Sequence, residues 1–373
     1  MFSQSRIDQL VANMKRDGLD SLLIVSPTGT CYLSGCYLLT QLVIPEREAY
    51  VLLTQDGSLS YLVCNLEEKS ARHHSHIEDI HLYIEFAEMP ANAAGRLLRE
   101  KGGGNGRVGI EAHALSAASL SQLTSTCPQA EFIPWDEPFK TALMIKSKAE
   151  AEAVQAAGRA TQQAIIEGFT QSAPDSRELD VANRILSGIM NAGIHPLFNV
   201  FAAGPNMLET HATASERVLE RGEIVRIDMG GRQMSNHYLA DMARTAVVGP
   251  PSAEQITIYS ALTDIQKTVM DACQPGKPIS SLYELCVEKY SEHNLPFMMP
   301  HIGHGMGIDL HEAPMINAKN QTLIQPGMIL NIEPFVALPG RNESYHIEDL
   351  VWVTDEAPQY LTYPNTTLIE IPA

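Results

Sequence analysis

Asp228, Asp241, His304, Glu333 and Glu348, in the carboxy-terminal part of a 373-residue chain, are residue types that together do metal chemistry. Four carboxylates and one imidazole are enough to hold two ions side by side. Each stands in an apolar, strand-like or glycine-rich stretch: VRIDMGG, YLADMART, GHGMG, ILNIEPF and YHIEDLVWV. A lone carboxylate buried in such a run is costly or becomes protonated, so it usually has a cation to serve. Any one of these acids reads equally well as a salt-bridged core residue; all five together point to metal. Hard oxygen donors with a single nitrogen suit Mn, Co, Fe or Zn better than Cu or a thiolate-loving ion. Two such ions acidify water and clamp an oxygen adding to a carbonyl, which is the chemistry of amide hydrolysis.

Glycine usage fits a crowded site. Gly303, Gly305 and Gly307 surround His304 with backbone that lacks a Cβ and allows strands or substrate to approach closely. GHGMG is not a nucleotide loop, since it has neither a Walker lysine nor the later glycines of a strand-to-helix turn, and GKPIS at 276–280 lacks the GxxxxGK spacing.

The order of these segments resembles the metallopeptidase family of prolidase, aminopeptidase P, methionine aminopeptidase and creatinase. The resemblance rests on ETHATASERVLERGE at 209–223, ERGEIVRIDMGG at 220–231, ADMART at 240–245, GHGMGIDLHEAP at 303–314, PGMILNIEP at 326–334 and HIEDLVWVT at 346–354. It extends to the amino-terminal half through RIDQLVANMKRDGLDSLLIVSP and CYLSG. It implies an α/β (α+β) chain: a creatinase-like mixed-sheet domain over 1–145, then a pseudo-symmetric pita-bread catalytic domain over 146–373. Asp228 would chelate one ion, Asp241 and Glu348 would bridge both, and His304 and Glu333 would hold the other. Manganese is the first expectation, with Co, Zn or Fe as substitutes. His211, His311 and Glu333 are the implied catalytic residues, the two histidines lining the substrate and donating to the oxyanion. His301, His346 and Arg47 are implied substrate contacts. The implied substrate is a short peptide, of the kind cleaved by an Xaa-Pro dipeptidase or an aminopeptidase. The resemblance also implies a homodimer in which Arg47 or Tyr37 helps close the partner's cleft. Two other readings compete: a creatinase-like carbon–nitrogen hydrolase with His211 as base and no metal, and a silent binding module. Both kinds of relative tend to lose the ligand set that is intact here.

Two departures from the family stand out. Asp228 and Asp241 are thirteen residues apart, two more than usual, so the RQMSNHYL hairpin is longer. An even insertion keeps both acids on one face, because strand side chains alternate with period two. His346 stands two before Glu348, where prolidases typically carry arginine. A titratable imidazole in place of a permanent bidentate cation should alter the electrostatics or the substrate choice, and it weakens prolyl specificity most.

The elements that must position these residues follow from periodicity. Ile7, Leu10, Val11 and Met14 recur at helical spacing, and SLLIV is a short buried strand. AYVLLT and SYLVC, joined by QDG, form a hairpin. MPANAAGRLLREKG and LSAASLSQLTSTC are helical, and RVGIEA and AEFIPW are strands, which together imply a mixed sheet flanked by helices. A boundary falls near 143–150. Beyond it the pattern runs twice: helices at about 148–171 and 176–192 precede the Asp-bearing strands, and helices at about 253–273 and 278–292 precede the Glu-bearing strands.

Bulk properties narrow the functional classes. A formal net charge of −18 with a pI near 5.1 disfavours nucleic acid and anionic membranes, because no basic run compensates. The opening MFSQSRIDQLVANMK is not expected to be a secretory signal, and no apolar run approaches a bilayer span. Six scattered cysteines without a C-x-x-C pair suggest reduced core thiols and a cytoplasmic location. The HHSH tract at 73–76 reads as an exposed loop before it reads as a metal site.

Overall fold

The computed structural model describes residues 3–373, so the first two residues of the opening segment lie outside it. The chain divides into two compact units, Met1–Leu143 and Met144–Ala373.

The first unit is built on a six-stranded mixed sheet. Its strands are β1 (Ser21–Ile24), β2 (Tyr50–Thr54), β3 (Leu59–Cys64), β4 (Ile80–Tyr83), β5 (Arg107–Ile110) and β6 (Glu131–Pro134), in the order β4-β3-β2-β1-β5-β6. The β2–β3 hairpin turns through Gly57 at φ +87, a conformation that suits glycine. The helices Gln4–Asp17, Pro90–Glu100 and Ala117–Thr126 bury apolar stripes, the first through Ile7, Leu10 and Met14. His73 and His74 end the helix Glu68–His74 rather than lying in a loop, and both are exposed.

The second unit opens with a capping box. Ser147 accepts from the Glu150 backbone while the Glu150 carboxylate accepts from Ser147 N–H, and this starts the helix Lys148–Thr170. Gly168 lets that helix sit against Ile185 of the helix Glu178–Asn191; a Cβ there would come within 2.1 Å of the isoleucine. The pair covers a sheet ordered β16-β9-β8-β7, made of β7 (Ile194–Ala203), β8 (Ile224–Gln233), β9 (Leu239–Val248) and β16 (Ile369–Ile371). The pattern then returns. The helix Ala253–Asp271, with its own Ser252/Gln255 capping box, and the helix Ser280–Glu292 pack on a second sheet. That sheet has the order β10-β11-β14-β15, from β10 (Gly303–Gly305), β11 (Ile329–Ile332), β14 (Asp349–Trp352) and β15 (Gln359–Tyr360). A separate two-stranded ribbon pairs β12 (Phe335–Leu338) with β13 (Glu343–His346), and β13 packs against β8 and β9. This is the pseudo-symmetric arrangement that the repeated pattern implied, one acid-bearing sheet from each half.

Candidate metal centre

Asp228 lies on β8 and Asp241 on β9, where Asp228 faces Ala243 and Asp241 faces Gly230. The two acids are therefore diagonal neighbours on one face of the antiparallel pair, and the longer hairpin leaves their phase intact. The turn is pinned twice: Gln233 N–H donates to Tyr238 O, and Arg232 donates to the carbonyls of His237 and Ile308.

The second half supplies His304 from β10, Glu333 from the end of β11 and Glu348 from the bend between β13 and β14. Gly303, at φ +152, and Gly305 explain how so short a strand fits. A Cβ on the first would meet Asn331 O at 1.9 Å, and a Cβ on the second Ala313 O at 2.2 Å. The close approach is made by the chain's own backbone, a strand at Gly303 and the loop before Pro314 at Gly305. Glu348 is held by its own N–H, which donates to Ala243 O at 3.1 Å and so ties the second half to β9.

These side chains converge. His304 Nε2 lies 3.5 Å from Asp241 Oδ2 and 3.8 Å from Glu333 Oε1. Asp241, His304 and His311 offer ligand atoms within 4.8 Å of one another, as do Asp228, His346 and Glu348. The rings of His304 and His311 are 4.1 Å apart. His346 Nε2 is 3.2 Å from Glu348 Oε1, and His301 Nδ1 is 3.2 Å from Glu333 Oε1 without the alignment of a hydrogen bond.

Burial and mutual repulsion push the Asp228 and Glu348 carboxyls well above their ordinary range, Asp241 being the leading repelling neighbour of both. Burial works against a charged His304, but Asp241 and Glu333 outweigh it and raise that imidazole to about 9. Glu333 is also opposed by burial, yet the histidines at 301, 346 and 304 hold it below the carboxylate range. Burial lowers His311 and His346, the former with help from His304. Asp228 Oδ1, Asp241 Oδ1, His304 Nε2 and Glu333 Oε1 are buried without a hydrogen-bond partner. Orphaned donors and crowded carboxylates of this kind are what divalent cations satisfy, so the residues fit such ions.

A cavity of about 490 Å³ opens beside the cluster. Its lining includes the apolar Leu208, Met298, Met299 and Phe335 and the histidines at 211, 301, 311 and 346. Larger hollows exist in both units, but no cluster of buried ionisable groups lines them. Arg47 belongs to the first unit, where Glu85 holds its guanidinium at 2.6 Å and Glu67 lies at 3.9 Å.

Several site residues escaped the sequence reading. Asn331, fully buried, donates to Glu348 Oε2 at 3.3 Å. Arg226 is buried, stacks on Phe335 and donates to the carbonyls of Glu209 and Thr210, just before His211. Each stands two residues before an acid on an otherwise apolar strand, and that phase was the available signal. Lys146, fully buried, pairs with the Glu312 carboxylate, which also accepts from the N–H groups of Ile308 and Asp309 and so closes the loop bearing His311.

The profile of metallopeptidase family M24 matches residues 152–355, and that of the creatinase/prolidase N-terminal domain matches residues 6–145. The chain therefore belongs to metallopeptidase family M24, and it is a metal-dependent peptidase. It is 28% identical to an Xaa-Pro dipeptidase of Pyrococcus furiosus over 98% of this chain and 100% of the relative. A second Xaa-Pro dipeptidase, from Pyrococcus horikoshii, is 26% identical over 98% of both chains. The crystal structure of the prolidase from Pyrococcus horikoshii OT3 superposes with a TM-score of 0.85 at 25% identity, covering 98% of this chain and 100% of that one. Among the described residues, no helix is long and apolar enough to cross a membrane.

Proposed function

We infer that the protein is a dinuclear hydrolase of short peptides, with an Xaa-Pro dipeptide as its leading substrate. The observation that carries this reading is the convergence of Asp228, Asp241, His304, Glu333 and Glu348, with orphaned buried ligand atoms, beside a half-apolar cavity. Asp228, Asp241 and Glu348 would hold one ion, and His304 and Glu333, sharing Asp241 and Glu348, the other. Four carboxylates balance two divalent ions and would leave one overcharged. When bound, such a pair supplies Lewis-acid polarisation of a peptide carbonyl and a nucleophile at neutral pH.

The chain's own residues would do the rest. His311 donates a hydrogen bond to the oxyanion side of the reacting carbonyl, and His211 faces the same cavity from the opposite segment. Leu208, Met298, Met299 and Phe335 give the cavity an apolar lining suited to an imino or aliphatic side chain. The two Xaa-Pro dipeptidases among its relatives support a prolyl substrate, and they do not favour a creatinase-like amide or a silent binding module. Six buried cysteines outside any disulfide support a reducing, cytoplasmic location. Exposed apolar side chains on the first unit, Phe86 at 95% among them, support association with a second copy.

The test is elemental analysis followed by assay of protein reloaded with Mn, Co, Fe or Zn, on Xaa-Pro dipeptides, Xaa-Pro-Yaa tripeptides, non-prolyl dipeptides and creatine. Near two ions per chain and preferred cleavage of Xaa-Pro dipeptides are expected. Full activity after exhaustive chelation, or cleavage of creatine alone, would overturn the reading.

A further inference from the structure

His346 was expected to contact substrate; its surroundings are those of a ligand. The residue is 5% exposed, at the end of β13. Its Nε2 lies 3.2 Å from Glu348 Oε1 and 3.8 Å from Glu333 Oε2, and its Nδ1 lies 3.9 Å from Asp228 Oδ2. Both ring nitrogens are buried without a hydrogen-bond partner. A neutral imidazole has one N–H donor and one lone pair, and leaving both unused in a dry site is expensive.

The ring is also held in place. Thr245 grips the backbone from both sides, accepting from His346 N–H at 2.9 Å and donating to His346 O at 2.8 Å. Phe335 meets the ring edge-on at 5.5 Å. A nitrogen fixed among oxygen donors, with no proton partner of its own, is prepared for a cation rather than for a mobile substrate.

We propose that His346 is a sixth protein ligand, giving the Asp228/Glu348 side of the centre a nitrogen donor to match His304 on the Asp241 side. The inference rests on the dinuclear reading of the site. A second nitrogen shifts the donor set away from Mn and toward Co or Zn.

The full chain, stripped and titrated with Co(II), tests this by calorimetry and by counting the paramagnetically shifted imidazole N–H resonances. Wild type should show two binding steps and at least two such resonances, a reading that needs no mutation. His346→Gln should weaken one step by more than about 100-fold, beyond the roughly 10–100-fold cost of losing an outer partner, and remove one resonance. The same variant should bind Co(II) over Mn(II) less selectively, and His346→Asn should behave alike if the fold is kept by circular dichroism. Retention of both steps and every resonance in folded His346→Gln would overturn the proposal. A single step in wild type would overturn the dinuclear reading instead, and loss of a resonance in His346→Gln would still uphold the ligand.

Discussion

At the scale of single residues, the histidines near the acids divide by what they touch. His311 packs against His304 at 4.1 Å but keeps an exposed face, which suits the substrate role proposed for it. His311→Ala should lower kcat by about 10²–10³-fold with ion content unchanged, the cost of one lost oxyanion donor. Turnover and elemental analysis of the same sample check it, and loss of both ions would move His311 into the ligand set. The five acid and imidazole positions were legible in the sequence because an ionisable residue inside an apolar run announces an unusual partner. Asn331, Arg226 and Lys146 were not, since each acts through a contact made by distant parts of the chain: Asn331 on Glu348, Arg226 on the segment before His211, Lys146 on Glu312.

At the scale of elements, two tethers hold the loops that carry the outer histidines. Glu312 closes the loop from Gly305 to Pro314, and its buried charge is tolerable because Lys146 meets it. Lys146→Met should destabilise the protein by about 3–5 kcal/mol by stranding that carboxylate, and adding Glu312→Gln should recover much of the loss. Denaturant titration of the three variants gives the cycle, and strict additivity would refute the coupling. Arg226 is the tether on the other side. Arg226→Met should speed amide exchange at residues 209–211 and lower turnover, with β8 itself remaining protected. The helices flanking both sheets were readable from periodicity and caps, and the hairpin phase from parity. The three-residue strand β10 was not, because it exists only through its pairing with β11.

At the scale of the whole molecule, a cluster of four carboxylates makes stability depend on its counter-charge. Without ions, Asp228 and Glu348 have folded pKa values raised above the unfolded ones. Their contribution is then present below the ordinary carboxylate pKa of about 4 and is lost as pH rises through the raised values. Chelated protein should therefore lose Tm as pH climbs above the ordinary carboxylate value of about 4, and ion-loaded protein should not. Loading at 100-fold above Kd should add about 2.7 kcal/mol. Thermal scans at several pH values test both, and parallel curves would count against the site. The cysteines are a separate whole-molecule property. All six are buried and none is in a disulfide, and burial pushes Cys286 up to about 12, so native protein should resist a disulfide reagent at pH 8 and react only on unfolding.

The Lys146 contact also decides where this protein can be cut. Ile145 bridges Met328, Lys146 N–H donates to Gly327 O, and the lysine side chain reaches Glu312, all ahead of residue 152, where the family match begins. At the other end, β16 lies parallel to β9 well beyond residue 355, where that match stops. A catalytic fragment excised at the limits of sequence similarity would thus lose the clamp on its His311 loop and the edge strand of its first sheet. Transplants, fusions and shuffled hybrids of this unit should be joined ahead of Met144 and carry the chain through Ile371. The portable module is longer at both ends than the similarity that reveals it.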